Sequence, residues 1–330
     1  MITVARGLLF CFVFVTLVIF YKEGIDQFPD YSNYLTIAEN KTGFVTERDY
    51  VFEWFSRLIL GLADIDSTER VELLATLNQL GCLIYFFWAA SRAREDIVFG
   101  SLILFSLLGF MFMTTTLRAS IAYLCVSAFF LRDGKFDLPG LGLLLMSLAW
   151  HDSAAPVVLM CITALVLSNT FVSRTALQAE ILSRGQKILV VVSLLIVLTS
   201  DLVRPALLSL SLFDLGARMA YFDGDGAYNI FKTIFVLIGI LSCLFFVSDA
   251  QQNTLSRTFI SLLAVIAALF YVANGTMAVR FIFFIFSVSI PLRGVVLFGV
   301  EKRPEVRLAA LLILPVIFYL SILYIFSNLI

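Results

Sequence analysis

Apolar runs recur from one end of the chain to the other, separated by short polar turns and two longer polar segments. Runs at residues 7–21, 73–91, 97–113, 119–131, 138–150, 154–168, 188–199, 230–247, 259–273, 281–292 and 308–329 predict about eleven transmembrane helices. Two of them are short. About 13 residues at 1.5 Å each reach roughly 20 Å, against a hydrocarbon core of roughly 30 Å. The pair at 119–131 and 138–150 therefore predicts a helical hairpin that is tilted through thinned bilayer or re-entrant over residues 115–152. Residues 50–63 place Phe52, Phe55, Leu58 and Ile59 at helical spacing and predict an amphipathic helix. The charged but helix-patterned segment 173–187 predicts a helix lying in the interface.

Composition fixes the class. Of 330 residues, 61% are hydrophobic and 14% charged, whereas soluble chains carry about 45 to 50% apolar residues. The expectation is an all-α polytopic integral membrane protein, with residues 1–330 forming one membrane domain. Its longer loops are 22–72 and 204–229. No small-residue cleavage site follows the first run, so it reads as a retained span. A net charge of −1 without a basic stripe argues against a nucleic-acid partner. The five cysteines lie inside apolar runs without metal-ligand or redox spacing and read as small core residues.

Basic residues in short loops orient the chain. Arg92/Arg94, Arg132/Lys135, Arg174/Arg184/Lys187, Arg257 and Lys302/Arg303/Arg307 fall on one side, and Arg118 and Arg280 on the other. The N-terminus is expected inside and the C-terminus outside. Arg118 opens the first arm of the short hairpin and His151, the sole histidine, closes the second. A turn at Arg132 to Asp137 carries both to the external face.

Several side chains there could do chemistry. Arginines at membrane depth suit a phosphate-bearing lipid, because the guanidinium fork pairs bidentately with phosphate and stays charged where hydration is poor; the bland alternative is that each snorkels from a helix end. His151 has no second histidine for a metal and suits proton transfer near neutral pH, with Asp152 beside it; equally, Trp150 and His151 could anchor a helix end. Asp30 and Tyr34 stand one helical turn apart, a carboxylate and a phenol suited to a sugar, although Asp30 also reads as a helix cap after Pro29. The second loop holds Arg204, Arg218, Tyr221 and the turn Asp223-Gly-Asp225-Gly, whose acids could bind a metal but are also what a turn requires.

In order along the chain, these residues resemble the EpsG-like membrane proteins, which include Wzy-type bacterial polysaccharide polymerases. The matching pieces are Asp30-Tyr-Ser-Asn-Tyr34, the aromatic helix at 50–58, Leu117-Arg118-Ala-Ser-Ile-Ala122, Trp150-His151-Asp152-Ser153-Ala154, and Arg280-Phe-Ile-Phe-Phe284 before Pro291. Ala119 stands where the family often has Gln, and Asp152 where a second His or small residue often follows. The resemblance implies a GT-C-like membrane enzyme of the bacterial cytoplasmic membrane, acting at its outer face on undecaprenyl-diphosphate-linked oligosaccharides as donor and acceptor. The products in this family are O-antigen, capsule or exopolysaccharide. It further implies His151, Asp30 and Arg118 as catalytic residues and Arg280, Tyr34, Arg218, Tyr221 and Arg204 as substrate-binding residues. No cofactor or metal is expected, and the expected partners are membrane lipids and the chain-length regulator and flippase of the same pathway. Two rival functions are a glycosyltransferase using a polyprenyl-phosphate sugar and a transporter or flippase for lipid-linked oligosaccharides.

Overall fold

The computed structural model describes Leu35 and residues 66–92, 117–151, 154–172, 176–200, 230–248, 253–273 and 275–300. The predicted spans at 7–21, 97–113 and 308–329 and the aromatic helix at 50–63 lie outside these residues. Among the described residues all regular structure is helical: α1 (Ser67–Ser91), α2 (Leu117–Leu131), α3 (Leu138–Trp150), α4 (Ala154–Val172), α5 (Ala176–Leu198), α6 (Ile230–Ser248), α7 (Thr254–Ala273) and α8 (Gly275–Val300). Among the described residues three stretches, Ser67–Ser91, Glu180–Leu198 and Thr254–Val272, are long and apolar enough to cross a membrane. Side chains such as Leu145, Leu159, Val166, Leu195 and Phe245 stand exposed in stripes, which suit a lipid solvent better than water. The chain divides into two compact units, Met1–Ala155 with Ile290–Ile330, and Pro156–Ser289.

In the first unit, α1 begins at a capping box. Asp66 Oδ1 accepts from the Glu69 N–H at 2.8 Å, and Glu69 Oε2 accepts from the Asp66 N–H at 3.3 Å, satisfying two of the helix's open donors. The helix then packs on α2 along a buried polar seam. Ser120 donates to Asn78 Oδ1 at 2.6 Å, and seven residues on, the Tyr85 hydroxyl bonds to Ser127 Oγ. Both pairs are separated by 42 residues in sequence, so advancing along α1 advances equally along α2. The two helices therefore run parallel.

Between α2 and α3 the chain reverses tightly. Asp133 and Gly134 both take φ of 63°, the left-handed region where glycine is at home and aspartate is tolerated. Asp137 caps α3 through the Gly140 N–H at 2.9 Å and pairs with Arg132 at 2.7 Å. A Cβ at position 140 would overlap the Lys135 carbonyl oxygen, so the turn requires glycine there. The Gly140 N–H, and then the Arg132 guanidinium, hold the Asp137 carboxyl below its ordinary range. A depressed carboxyl contributes stability above the unfolded value of about 3.9, and loses it as pH falls through the folded value. Asp137→Asn is thus expected to unfold at lower temperature than wild type at pH 7, with the difference shrinking on acidification below pH ~4. A difference that stays constant across thermal scans from pH 7 to 3 would count against the ion pair.

In the second unit, α5, α6 and α7 pack on one another. Gln186 Nε2 donates to Thr258 Oγ1 at 2.8 Å near the start of α7, and the buried stripe Gln186, Val190, Ser193, Val197 continues along α5. A parallel course lets that whole stripe pack along α7. Of segment 173–187, predicted as an interfacial helix, residues 176–187 are continuous with the following span, and Gln186 is buried. The segment contains no proline, and Gly185 faces open space, so nothing stops the helix. Because α6 and α7 are joined by a short connection and Thr233 bonds Tyr271 at 2.6 Å, the start of α6 meets the end of α7. Gly239 lets α8 approach closely, its missing Cβ leaving room for Ile282.

Candidate functional site

The open end of the α2/α3 hairpin is set by register. Ser147 Oγ donates to the Ala122 carbonyl at 3.0 Å. On antiparallel helices the next turn outward brings position 118 level with position 151, so Arg118 and His151 share one end of the hairpin, away from Arg132 and Lys135. Arg118 is the second residue of α2, whose first turn holds no acid. A cation there adds to the positive end of the helix dipole, an arrangement that costs stability unless an anion is nearby.

His151 ends α3. Its backbone is extended (φ −150°, ψ 129°), its N–H donates to the Ser147 carbonyl at 3.1 Å, and its own carbonyl accepts from Ala154 N–H at 3.0 Å. The residue is 4% exposed, so its imidazole sits inside the unit, as a helix-end anchor does and as a shielded base does. Asp152 lies outside the described residues.

One residue at this end escaped the sequence reading. Glu72 is half-buried on α1, and stands three, six and seven residues before the buried Ala75, Asn78 and Gln79. Since α1 and α2 run parallel with an offset of 42, Thr76 is level with Arg118, and Glu72 lies one turn further out. It puts an acidic position at the same end of the unit as positions 118 and 151. The signal was its helical spacing to Asn78 and Gln79, hidden because Glu72 falls at the boundary between a polar loop and an apolar run.

Arg280 lies in the second unit, half-buried on α8. Its neighbour Phe281 packs against Phe270 of α7, ring centroids 4.9 Å apart. Asp30, Tyr34, Arg204, Arg218, Tyr221, Asp223 and Asp225 lie outside the described residues. Among the described residues no group of three or more His, Cys, Asp or Glu is arranged to hold a metal ion.

No family model, characterised protein or solved structure matches the chain.

Proposed function

We propose that the protein is a membrane glycosyltransferase that polymerises lipid-diphosphate-linked oligosaccharides on the outer face of the bacterial cytoplasmic membrane. The observation that carries this reading is the hairpin register, which puts position 118, an arginine at a helix N-terminus, level with position 151, the buried histidine. In the reaction, the acceptor hydroxyl oxygen bonds to the donor's anomeric carbon, and the bond from that carbon to the diphosphate oxygen breaks. The diphosphate leaves with the electron pair. Arg118 stabilises the charge gathering on it, and His151 takes the hydroxyl proton, with Glu72 and Asp30 as carboxylate alternatives. Arg280, Tyr34, Arg204, Arg218 and Tyr221 would bind the substrates, and the pathway's flippase and chain-length regulator would be the protein partners.

The topology supports this assignment. A parallel course of α1 and α2 is compatible with a further span between them, which the apolar run at 97–113 predicts from sequence. Arg92, Arg132 and Lys135 gather at the opposite end of the first unit from Arg118, and Arg184, Lys187 and Arg257 at the end of the second unit where α7 starts. Both basic ends suit the cytoplasm. The polar pairs between α1 and α2 are uncharged, whereas a flippase would carry charges along a midplane pathway.

Complementation of a polymerase-null strain tests the reading directly. Long glycan ladders on a gel are expected from the wild-type chain and single repeat units from His151→Gln. Wild-type protein that leaves only single repeat units would sink the proposal.

A further inference from the structure

We infer that the lateral groove between α1 and α2 seats the single hydrocarbon chain of a polyprenyl diphosphate, with Arg70 holding its phosphate at the outer end. The choice of lipid rests on the functional reading above, whereas the groove is read from the first unit alone.

On α1, Arg70, Leu77, Gly81, Ile84 and Trp88 recur at helical spacing down one side. Leu77 and Ile84 are 36% and 57% exposed, and Gly81 and Trp88 are half-buried. On α2, between positions 119 and 131, only Ile121 and Cys125 escape burial. The two rows adjoin. A Cβ on Gly81 would lie 3.5 Å from Ile121 Cδ1, and Tyr85, next to Ile84, neighbours Cys125 across the helix pair. Because the helices run parallel, both rows begin at the same end. That of α1 begins with Arg70, and that of α2 at position 118, an arginine one turn before Ile121 and two before Cys125.

The length and charge of the groove say what fills it. Arg70 and Trp88 lie about 27 Å apart at 1.5 Å per residue, close to a hydrocarbon core of roughly 30 Å, so Arg70 stands at one headgroup level. At the other, the Arg92 guanidinium sits 5.2 Å over the Trp88 ring, an interfacial anchor. Neither row carries a charge between them. An arginine that only snorkels puts its guanidinium in water, whereas Arg70 Nε is closed off from solvent and has no acceptor among the described residues. Asp66 and Glu69 accept from each other's backbone N–H in the capping box, and Glu72, two residues on, stands on the far side of the helix. A phosphate oxygen supplies the missing acceptor. The apolar part is narrow, since α2 contributes a row one side chain wide; one chain fits it and a pair of acyl chains does not. One anionic head on one long chain describes a polyprenyl diphosphate.

The test uses the full-length protein in phosphatidylcholine nanodiscs, titrated with undecaprenyl diphosphate and read by native mass spectrometry. An analogue with a diazirine on its chain marks where the lipid lies, and crosslinks are expected at Leu77, Ile84 or Cys125. Arg70→Gln and Ile84→Trp are each expected to weaken binding at least about tenfold, with an unchanged thermal unfolding midpoint. Gly81→Leu, which fills the floor, serves as the blocking variant if Ile84→Trp does not fold. Geranyl diphosphate, with the same head and a short tail, is expected to compete at least about tenfold more weakly than the full lipid. Equal binding by wild type and the variants, equal competition by geranyl diphosphate, or crosslinks confined to other residues overturn the inference. Displacement of the analogue by phosphatidylglycerol at equal concentration also overturns it, making the groove a general phospholipid seam, as does a dimer lost on Ile84→Trp, which makes it a contact between copies. The polymerase reading fails separately: a protein that seats the lipid here yet leaves single repeat units in the complementation strain keeps the groove and loses that reading. Long chains alongside crosslinks elsewhere do the reverse.

Discussion

Replacing Arg118 with lysine is expected to cut polymer synthesis about 100-fold or more, nearly as far as replacing it with alanine. Lysine keeps the charge but offers a compact ammonium in place of a planar fork, and so cannot hold two diphosphate oxygens at once. The position is also demanding. Arg118 is the second residue of α2, and the height of that position is set by the bond from Ser147 to the Ala122 carbonyl one turn away. The measurement is consumption of lipid-linked repeat units by purified protein, wild type against Arg118→Lys and Arg118→Ala, at equal amounts of folded protein. Near-wild-type chain length from the lysine variant would make Arg118 a helix-end anchor whose charge is all that matters.

Gly239→Ala is expected to destabilise the second unit by about 1 to 3 kcal/mol, the usual cost of an extra methyl group forced into a close-packed interior. The new Cβ would overlap the Ile282 side chain, falling 2.8 Å from its Cδ1. Ile282 cannot yield easily, because it is fully buried and Phe235 closes the same contact by packing edge-on against Phe283 and Phe286. Trimming the neighbour should therefore rescue the change. In a double-mutant cycle, Ile282→Ala should recover much of the loss, read as thermal unfolding in detergent. Simple additivity of the two substitutions would mean that α6 and α8 part elsewhere and the contact carries no strain.

The hairpin was legible in the sequence because its signals are local. Asp133-Gly134 at the reversal, Asp137 as cap, and two short apolar runs of matched length together fix where the chain turns and which residues end opposite each other. The start of α6 was not legible in the same way. One lysine in an apolar run does not end a span, so Lys232 was read as part of it; which face it occupies emerges only once Val236, Gly239 and Cys243 are seen to pack. The same holds for Gln186, whose charged surroundings predicted an interfacial helix until Thr258, distant in sequence, supplied its partner. Parallel pairing of α1 with α2 is still further from local pattern, since it depends on side chains separated by 42 residues. Of the residues proposed for chemistry, the pair that the hairpin aligns could be read in advance, and Glu72 could not, because its membership in α1 is a matter of helix phase.

The parallel course of α1 and α2 also implies an order of assembly. The α2/α3 hairpin closes through a few residues and can form as soon as its second arm emerges, since short loops close on the order of tens of nanoseconds. The α1/α2 seam cannot. Its hydrogen bonds join residues 42 apart in sequence, and closing a longer loop costs more entropy. Until then Asn78 and Tyr85 must find other partners in lipid or water. The seam is therefore a late-closing latch, and its bonds, each worth only about 0.6 kcal/mol in a bilayer, report on completion more than on strength. Substitutions at Asn78 or Ser127 should accordingly show less in the finished protein's melting temperature than in the fraction of newly made chains that reach the finished state.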